Sequence, residues 1–319
     1  MRASILTALL FLPLLLSAEN QPAGKNQPPG FWKSLGDFFL PHFDSRKILL
    51  EKQTQYFHIT VEEDYQGWRH LVFNPGKGSQ GIWNPAAPDE IVSRYCRFCT
   101  LFLPALEQPP RRVLFIGLGA GIVPRYVRQN FPAAQIDLVE IDPAIPEIAA
   151  GYFGFKPDAR MKTVIADGRD FINRAKEKYD LVFIDAYTAE CIPFQLTTLE
   201  FFRNIRAAMS PGGLMVANVA NLGKEAFIAS EVKTARTVFP ELAVFICGFK
   251  ANYLLVGRNG GKIDPEKMRP AAAALDKTIH PELDFDEMLD TRMSEEEIDG
   301  LTADGMILKD DFAPVEALR

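Results

Sequence analysis

The chain has 319 residues, 47% of them hydrophobic and 24% charged, with a formal net charge of −6. That length allows one large domain, or one domain with a smaller companion. The acidic balance and the lack of any basic block exclude nucleic acid as an expected partner.

The chain opens with "MRASILTALLFLPLLLSAEN", a short basic start, an apolar run from Ile5 to Leu16, then the small residues Ser17 and Ala18. The run is too short to span a bilayer comfortably and has the pattern of an export signal cleaved after Ala18. The expectation is an exported or periplasmic protein with no stable membrane span after cleavage; without a working signal it would be cytoplasmic. A polar Pro/Gly linker, "ENQPAGKNQPPG", follows. Between residues 48 and 83, "YFHITVEED" and "HLVFNPG" alternate like short strands with turn residues between them, which predicts a small antiparallel sheet. "DEIVSRYCRFCTLFLPAL" predicts one helix leading into the main domain.

From residue 110 the pattern alternates. Apolar strands "RVLFIGL", "QIDLVEID", "MKTVIAD", "YDLVFIDAY" and "GLMVANVA" are separated by helical segments, and "LAVFICGF" and "NYLLVGR" close the run. Strands alternating with helices of this length give a parallel sheet covered on both faces. The short turn between the last two strands predicts an antiparallel terminal pair. The expected fold is α/β, a seven-stranded Rossmann-like methyltransferase fold with a small N-terminal antiparallel β-sheet. After residue 258 the chain turns polar, with an Ala-rich helix near 270 and the acidic stretch "SEEEIDG". The expected organisation is a signal peptide at 1–18, a linker at 19–47, a small hairpin domain with its connecting helix at 48–105, a nucleoside-binding domain at 106–258 and a helical extension at 259–319.

"VLFIGLGAGIVPRYV" joins the first parallel strand to its helix. Gly117, Gly119 and Gly121 remove side chains where backbone N–H groups meet a ligand at a helix start. The dinucleotide fingerprint is G-x-G-x-x-G, whereas residue 122 here is Ile, and the resulting G-x-G-x-G favours an adenosylmethionine-type ligand. Glu140 ends the second strand, where a carboxylate can accept both ribose hydroxyls. Asp142 precedes Pro143 as a helix cap. Asp167 fits two roles equally, receiving an adenine amino group or capping the next helix. Asp185, after the fourth strand, points into the same cleft.

Cys96 and Cys99 form a C-x-x-C in an apolar, helix-like context without a second pair or histidines, so they predict two buried small side chains rather than a zinc site. No metal is expected.

Residues 48 to 258 resemble spermidine synthase and its relatives, the aminopropyltransferase-like branch of the class I methyltransferase fold. The match is carried in order by "EKQTQYFHITV", "HLVFNPGKGSQG", "VLFIGLGAGIVPRYV", "IDLVEIDP", "ADGRDFI", "YDLVFIDAY", "LTTLEFF" and "MSPGGLMVANV", with the tail "LKDDFAPVEAL" similar as well. The resemblance implies that Gly117, Gly119 and Gly121 cradle the nucleoside, Glu140 holds the ribose, Asp167 with Gly168 holds the adenine and Gln80 helps close the pocket. Asp185 matches the first acid of the family's gate loop and is the candidate catalytic residue. The implied co-substrate is S-adenosylmethionine or its decarboxylated form.

The departures fall on the other half of the site. The second gate-loop aspartate is Thr188, which removes the expected general base. The family's Tyr-x-Glu element is met by Ser93 and Tyr95, and the glutamine of the first hairpin by Phe57. Glu190 offers a substitute acid or a solvated loop carboxylate.

Three readings stand at this point. One is a transferase whose acceptor is not a standard diamine. Another is a true aminopropyltransferase with a rearranged acceptor site, and the third is a non-catalytic nucleoside-binding relative. A dehydrogenase ranks last. The expected partners are a small-molecule nucleoside and an unnamed acceptor, with a homodimer as the candidate assembly.

Overall fold

The computed structural model describes residues 46–75, 78–188, 192–221, 225–248, 250–278 and 283–312. The expected export signal and, apart from Arg46 and Lys47, the expected linker lie outside the described residues. Among the described residues no helix is long and apolar enough to cross a membrane.

Four strands, β1 (Lys47–Gln53), β2 (His58–Glu63), β3 (Arg69–Phe73) and β4 (Ser79–Trp83), form an antiparallel sheet in sequence order. The expected small sheet is therefore present. Its alternation puts Ile59, Val61, Leu71 and Phe73 into the core. The segment expected as one long helix is shorter. Helix α1 (Arg94–Cys99) starts after Ser93 and passes into a 3₁₀ turn, Thr100–Ala105. Pro104 sits inside that turn and has no amide hydrogen to continue an α-helical ladder.

The main domain runs β5 (Arg112–Ile116), α2 (Ile122–Asn130), β6 (Gln135–Glu140), α3 (Ala144–Tyr152), β7 (Met161–Ile165), α4 (Gly168–Arg174), β8 (Tyr179–Ile184), α5 (Leu199–Ala208), β9 (Met209–Ala220), α6 (Glu225–Val238), β10 (Ala243–Cys247) and β11 (Asn252–Arg258). Its seven strands lie in the order β10-β11-β9-β8-β5-β6-β7. Strand β11 is antiparallel to both neighbours and the other pairings are parallel. This is the seven-stranded mixed sheet of a Rossmann-like fold, and its terminal antiparallel pair is as expected. Alternate residues of β5 point to opposite sides: Val113 and Phe115 join one core, Leu114 and Ile116 the other. Burial on both faces is why the strands carry apolar runs instead of alternation. Helices α7 (Pro265–Thr278), α8 (Phe285–Asp290) and α9 (Glu295–Thr302) follow. The acidic stretch becomes α9 because Ser294 and Glu297 form a reciprocal capping box, and three glutamates sit at the positive end of the helix.

The small sheet is joined to the main domain by a polar link. The Thr54 hydroxyl donates to Asp142 Oδ2 at 2.5 Å, and Asp142 Oδ1 receives Ala144 N at 2.9 Å, the expected cap. Within the sheet, Asp64 locks the β2–β3 turn. Its Oδ1 accepts Gln66 N and Trp68 N at 2.9 and 3.0 Å, and Oδ2 lies 2.9 Å from His70 Nε2. His70 Nδ1 in turn lies 2.9 Å from Ser79 Oγ, at the start of β4. Burial pushes the Asp64 carboxyl up, but the bonds from His70, Trp68 and Gln66 outweigh it, and the net shift is downward. A depressed carboxyl stabilises the fold above the unfolded-state pKa of about 3.9 and loses that contribution as pH falls through its lower folded value. Asp64→Asn is therefore expected to cost about 1 kcal/mol at pH 7. Urea denaturation at pH 7 and at pH 3 should show the gap between the two proteins closing in acid.

Candidate functional site

Strand β5 is the switch point of the sheet: the chain leaves it toward β6 and β7 on one side, then returns to β8 and β9 on the other. A crevice opens beyond the carboxyl ends of strands at such a point. Here it is a cleft of about 1190 Å³ whose walls include Gly117, Gly119, Gly121, Glu140, Asp167, Gly168, Gln80 and Asp185. All eight residues singled out from the sequence thus meet in one cavity.

The glycines differ in purpose. Gly117 has φ +98°, and a Cβ there would lie 2.2 Å from the carbonyl oxygen of Asp185. It allows the loops after β5 and β8 to touch. Gly119 has φ +53°, and an added Cβ would meet nothing within 4 Å. Its missing side chain leaves open space against the backbone, as a ligand cradle requires. Gly121 is the N-cap of α2.

Glu140 is 8% exposed, and its carboxylate is held by three backbone donors. Leu118 N reaches Oε2 at 3.0 Å, and Ile141 N and Asp142 N reach Oε1 at 2.8 and 3.0 Å. Burial pushes its pKa up, opposed by those three bonds. The donors fix the carboxylate and leave acceptor capacity toward the cleft. Asp167 is the N-cap of α4: Oδ1 accepts Arg169 N at 2.7 Å and Asp170 N at 3.1 Å. Its Oδ2 takes Gln195 Nε2 at 3.2 Å. The capping role is realised, and Asp167 lines the cleft as well. Gly168 is the buried first residue of α4.

Gln80 reaches the cleft through an irregularity that periodicity does not reveal. Leu71 pairs with Gly81 while Val72 pairs with Ser79, so Gln80 is the extra residue of a β-bulge. Bulges re-aim side chains. The Tyr95 hydroxyl donates to the Gln80 carbonyl at 2.7 Å and braces this bend.

Across the switch point the wall changes character. Asp185 Oδ1 accepts Asn218 Nδ2 at 2.8 Å, and Asn218 Oδ1 accepts Asn252 Nδ2 at 2.8 Å. Burial raises the Asp185 pKa, opposed by the Asn218 bond. The Tyr187 hydroxyl donates to Asn218 O at 2.6 Å and accepts Ala220 N at 2.7 Å. Phe57, the residue in the first-hairpin glutamine position, lies on the wall with its ring stacked on Phe73 at 4.2 Å. Cys96 and Cys99 are buried and unpaired, as expected, and both border the cleft. Burial pushes the Cys96 thiol up to about 12. Both sulfurs are thus neutral thiols at ordinary pH. Ser93 is buried, and Thr188 is exposed at the rim. Glu190 and Cys191 lie outside the described residues. No group of metal-holding side chains occurs among the described residues.

Asn218, Asn252, Tyr187 and Gln195 escaped the sequence reading. The signal for Asn218 was available as a lone amide inside the apolar strand "LMVANVA". Asn252 gives none, because its partner is set only by the antiparallel register of β11 against β9.

Comparison with known proteins agrees with this architecture. Residues 101–251 match the model of the spermine/spermidine synthase domain. A polyamine aminopropyltransferase of Vibrio vulnificus is 31% identical over 240 residues, covering 73% of this chain and 79% of that protein. Human methyltransferase-like protein 13, solved in complex with SAH, is 28% identical with a TM-score of 0.52, over 58% of this chain and 92% of that one. A probable spermidine synthase from Corynebacterium glutamicum superposes with a TM-score of 0.67 over 83% of this chain and 97% of that one, at 20% identity, and so shares the fold.

The two glycines make separable predictions. Gly117→Ala should destabilise the protein by about 3 kcal/mol or more, since strain and collision coincide. Gly119→Ala should cost only about 1 kcal/mol yet weaken methylthioadenosine binding at least about tenfold. Thermal melts and calorimetric titration separate the two outcomes.

Proposed function

The chain belongs to the spermine/spermidine synthase family, and on that premise we propose that its cleft binds S-adenosylmethionine or the decarboxylated form and serves a transfer to an acceptor other than a standard diamine. The observation that carries this reading is the division of the cleft. On the β6–β7 side, Glu140 is clamped by backbone N–H groups beside an open glycine cradle. On the β8–β9 side, Asp185 stands where the family's first acid stands, and the second position holds Thr188.

The residues present fit such a nucleoside. The free space at Gly119 admits a ligand against the loop. Glu140 Oε2 accepts one backbone bond and retains a lone pair for a ribose hydroxyl, and Asp167 Oδ2 retains one for an adenine amino group. The bound nucleoside supplies an electrophilic carbon attached to a sulfonium sulfur. The protein's part is positioning: the glycine loop and Glu140 hold the nucleoside, and Asp185 orients the acceptor and receives its proton. In-line placement of two reactants can supply several kcal/mol of the barrier by itself, so transfer does not require a rebuilt polyamine site.

Similarity to both a polyamine aminopropyltransferase and a methyltransferase-like protein supports a transferase without choosing the transferred group. The case against a standard diamine lies in its second charge. Each of its two ammonium groups has a pKa near 10 and is almost wholly protonated at neutral pH, and where the family carries a second aspartate this chain has Thr188.

Glu140→Ala is expected to weaken nucleoside binding by about 1.5 to 3 kcal/mol, the range for a hydrogen bond to a charged group. Calorimetry with S-adenosylmethionine, its decarboxylated form and methylthioadenosine measures it, and an unchanged affinity in a folded variant removes Glu140 from the site. With putrescine and decarboxylated S-adenosylmethionine, mass spectrometry should find negligible spermidine. Turnover near one per second or faster would establish an aminopropyltransferase instead.

A further inference from the structure

The half of the cleft beyond Asp185 specifies the charge of what it can hold. Among its described lining residues there is no Lys, Arg or His, and the carboxylates are Glu140, Asp167 and Asp185. Strand order separates them: Glu140 and Asp167 follow β6 and β7, whereas Asp185 follows β8, beside β9 and β11. Three backbone amides engage Glu140, and the start of α4 with Gln195 engages Asp167. Asp185 is the one carboxylate on its side among the described lining residues.

Its surroundings hold that carboxylate, and the described lining on this side offers no second one. Asn252 braces Asn218, and Asn218 donates to Oδ1 of Asp185. That leaves Oδ2 for a ligand. Both bonds of the Tyr187 hydroxyl go to the backbone of β9, and the Tyr95 hydroxyl donates to Gln80 O. Much of the remaining wall is apolar or neutral: Phe57 stacked on Phe73, Phe227, and the thiols of Cys96 and Cys99. Burial keeps those thiols protonated, so they supply no counter-charge.

We propose that this half of the cleft takes a primary amine with one positive charge and an uncharged, largely apolar tail, with its ammonium on Asp185 and its tail against Phe57 and Phe73. The proposal rests on the reading above that the other half holds an adenosyl nucleoside. A diamine places its second ammonium against the Phe57–Phe73 wall. Leaving a buried cation unpaired costs several kcal/mol. A ring face returns about 0.5 to 2 kcal/mol, which does not offset that cost. The apolar tail of a monoamine gains from the same wall roughly 25 cal/mol for each Å² it buries.

The step balances with the groups named. The ammonium gives one proton to Oδ2 of Asp185, and the freed nitrogen lone pair bonds to the carbon on the sulfonium. The carbon–sulfur bond breaks with its electron pair moving to sulfur, leaving a neutral thioether nucleoside. The alkylated product is again an ammonium ion, and the proton on Asp185 leaves to solvent. No oxidant or further co-reactant is needed. Asp185 suits the task because burial raises its pKa.

The test is calorimetric titration of the full chain, with and without saturating methylthioadenosine, using n-pentylamine, 2-phenylethylamine, putrescine and cadaverine. The expected result is that each monoamine binds at least tenfold more tightly than either diamine. Asp185→Asn, confirmed folded by its melting curve, should weaken monoamine binding at least tenfold. Equal or tighter binding of the diamines overturns the proposal, as does a lack of monoamine binding in both conditions. The wild-type comparison decides the matter without any variant. Methylthioadenosine binding without a monoamine preference rejects this inference and keeps the reading of the nucleoside half. A monoamine preference without nucleoside binding does the reverse.

Discussion

The close approach between the loops after β5 and β8 is the constraint on which the rest depends. A single methyl group on Gly117 would collide with the Asp185 carbonyl oxygen. Asp185 N bonds to Ile116 O at 2.9 Å, and Gly117 N to Val139 O at 2.8 Å. Three strand ends are thus tied together at the switch point, and the tie sets where each carboxylate stands. Glu140 ends β6 on one side of Gly117, and Asp185 follows β8 on the other. The separation of Glu140 from Asp185 is therefore written into strand spacing, about 4.8 Å per strand, rather than into mobile side chains.

Electrostatics follows from that placement. The cleft gathers three carboxylates without a basic residue among its described lining. Such a wall favours cationic ligands, and both proposed reactants, a sulfonium and an ammonium, are cations. A carboxylate drawn out of solvent needs donors, and each acid has its own set: backbone amides for Glu140, a helix start and Gln195 for Asp167, and an asparagine pair for Asp185. Burial raises the pKa of both Glu140 and Asp185, opposed by three backbone bonds at Glu140 and by the Asn218 bond alone at Asp185.

Legibility in the sequence followed the locality of each signal. The seven strands of the main sheet were readable because two-face burial writes apolar runs of strand length, and the terminal pair because its turn is short. Gly117, Glu140, Asp167 and Asp185 were readable because each sits at a strand end next to a break in pattern. The long helix expected before β5 was overcalled: its apolar composition suits a helix, but Pro104 and the start at Ser93 shorten it. Gln80 was found by resemblance, and no periodicity discloses that a bulge aims it. The Asn252–Asn218–Asp185 chain needs the register of three strands at once, which no local pattern encodes.

The two halves of the cleft also differ in what they are made of, and this accounts for which half keeps the family pattern. The nucleoside half is largely backbone: a glycine loop, a helix start and amides around one carboxylate. Changing it disturbs the junction of β5, β6 and β8, so the residues proposed to bind also hold the fold. The acceptor half is made of side chains drawn from the small sheet, α1, β9 and β11. A glutamine position filled by Phe57, or an aspartate position filled by Thr188, leaves strand order and core intact. Chemistry on that side can therefore change while the fold does not, and the acceptor must be read from the side chains this chain carries.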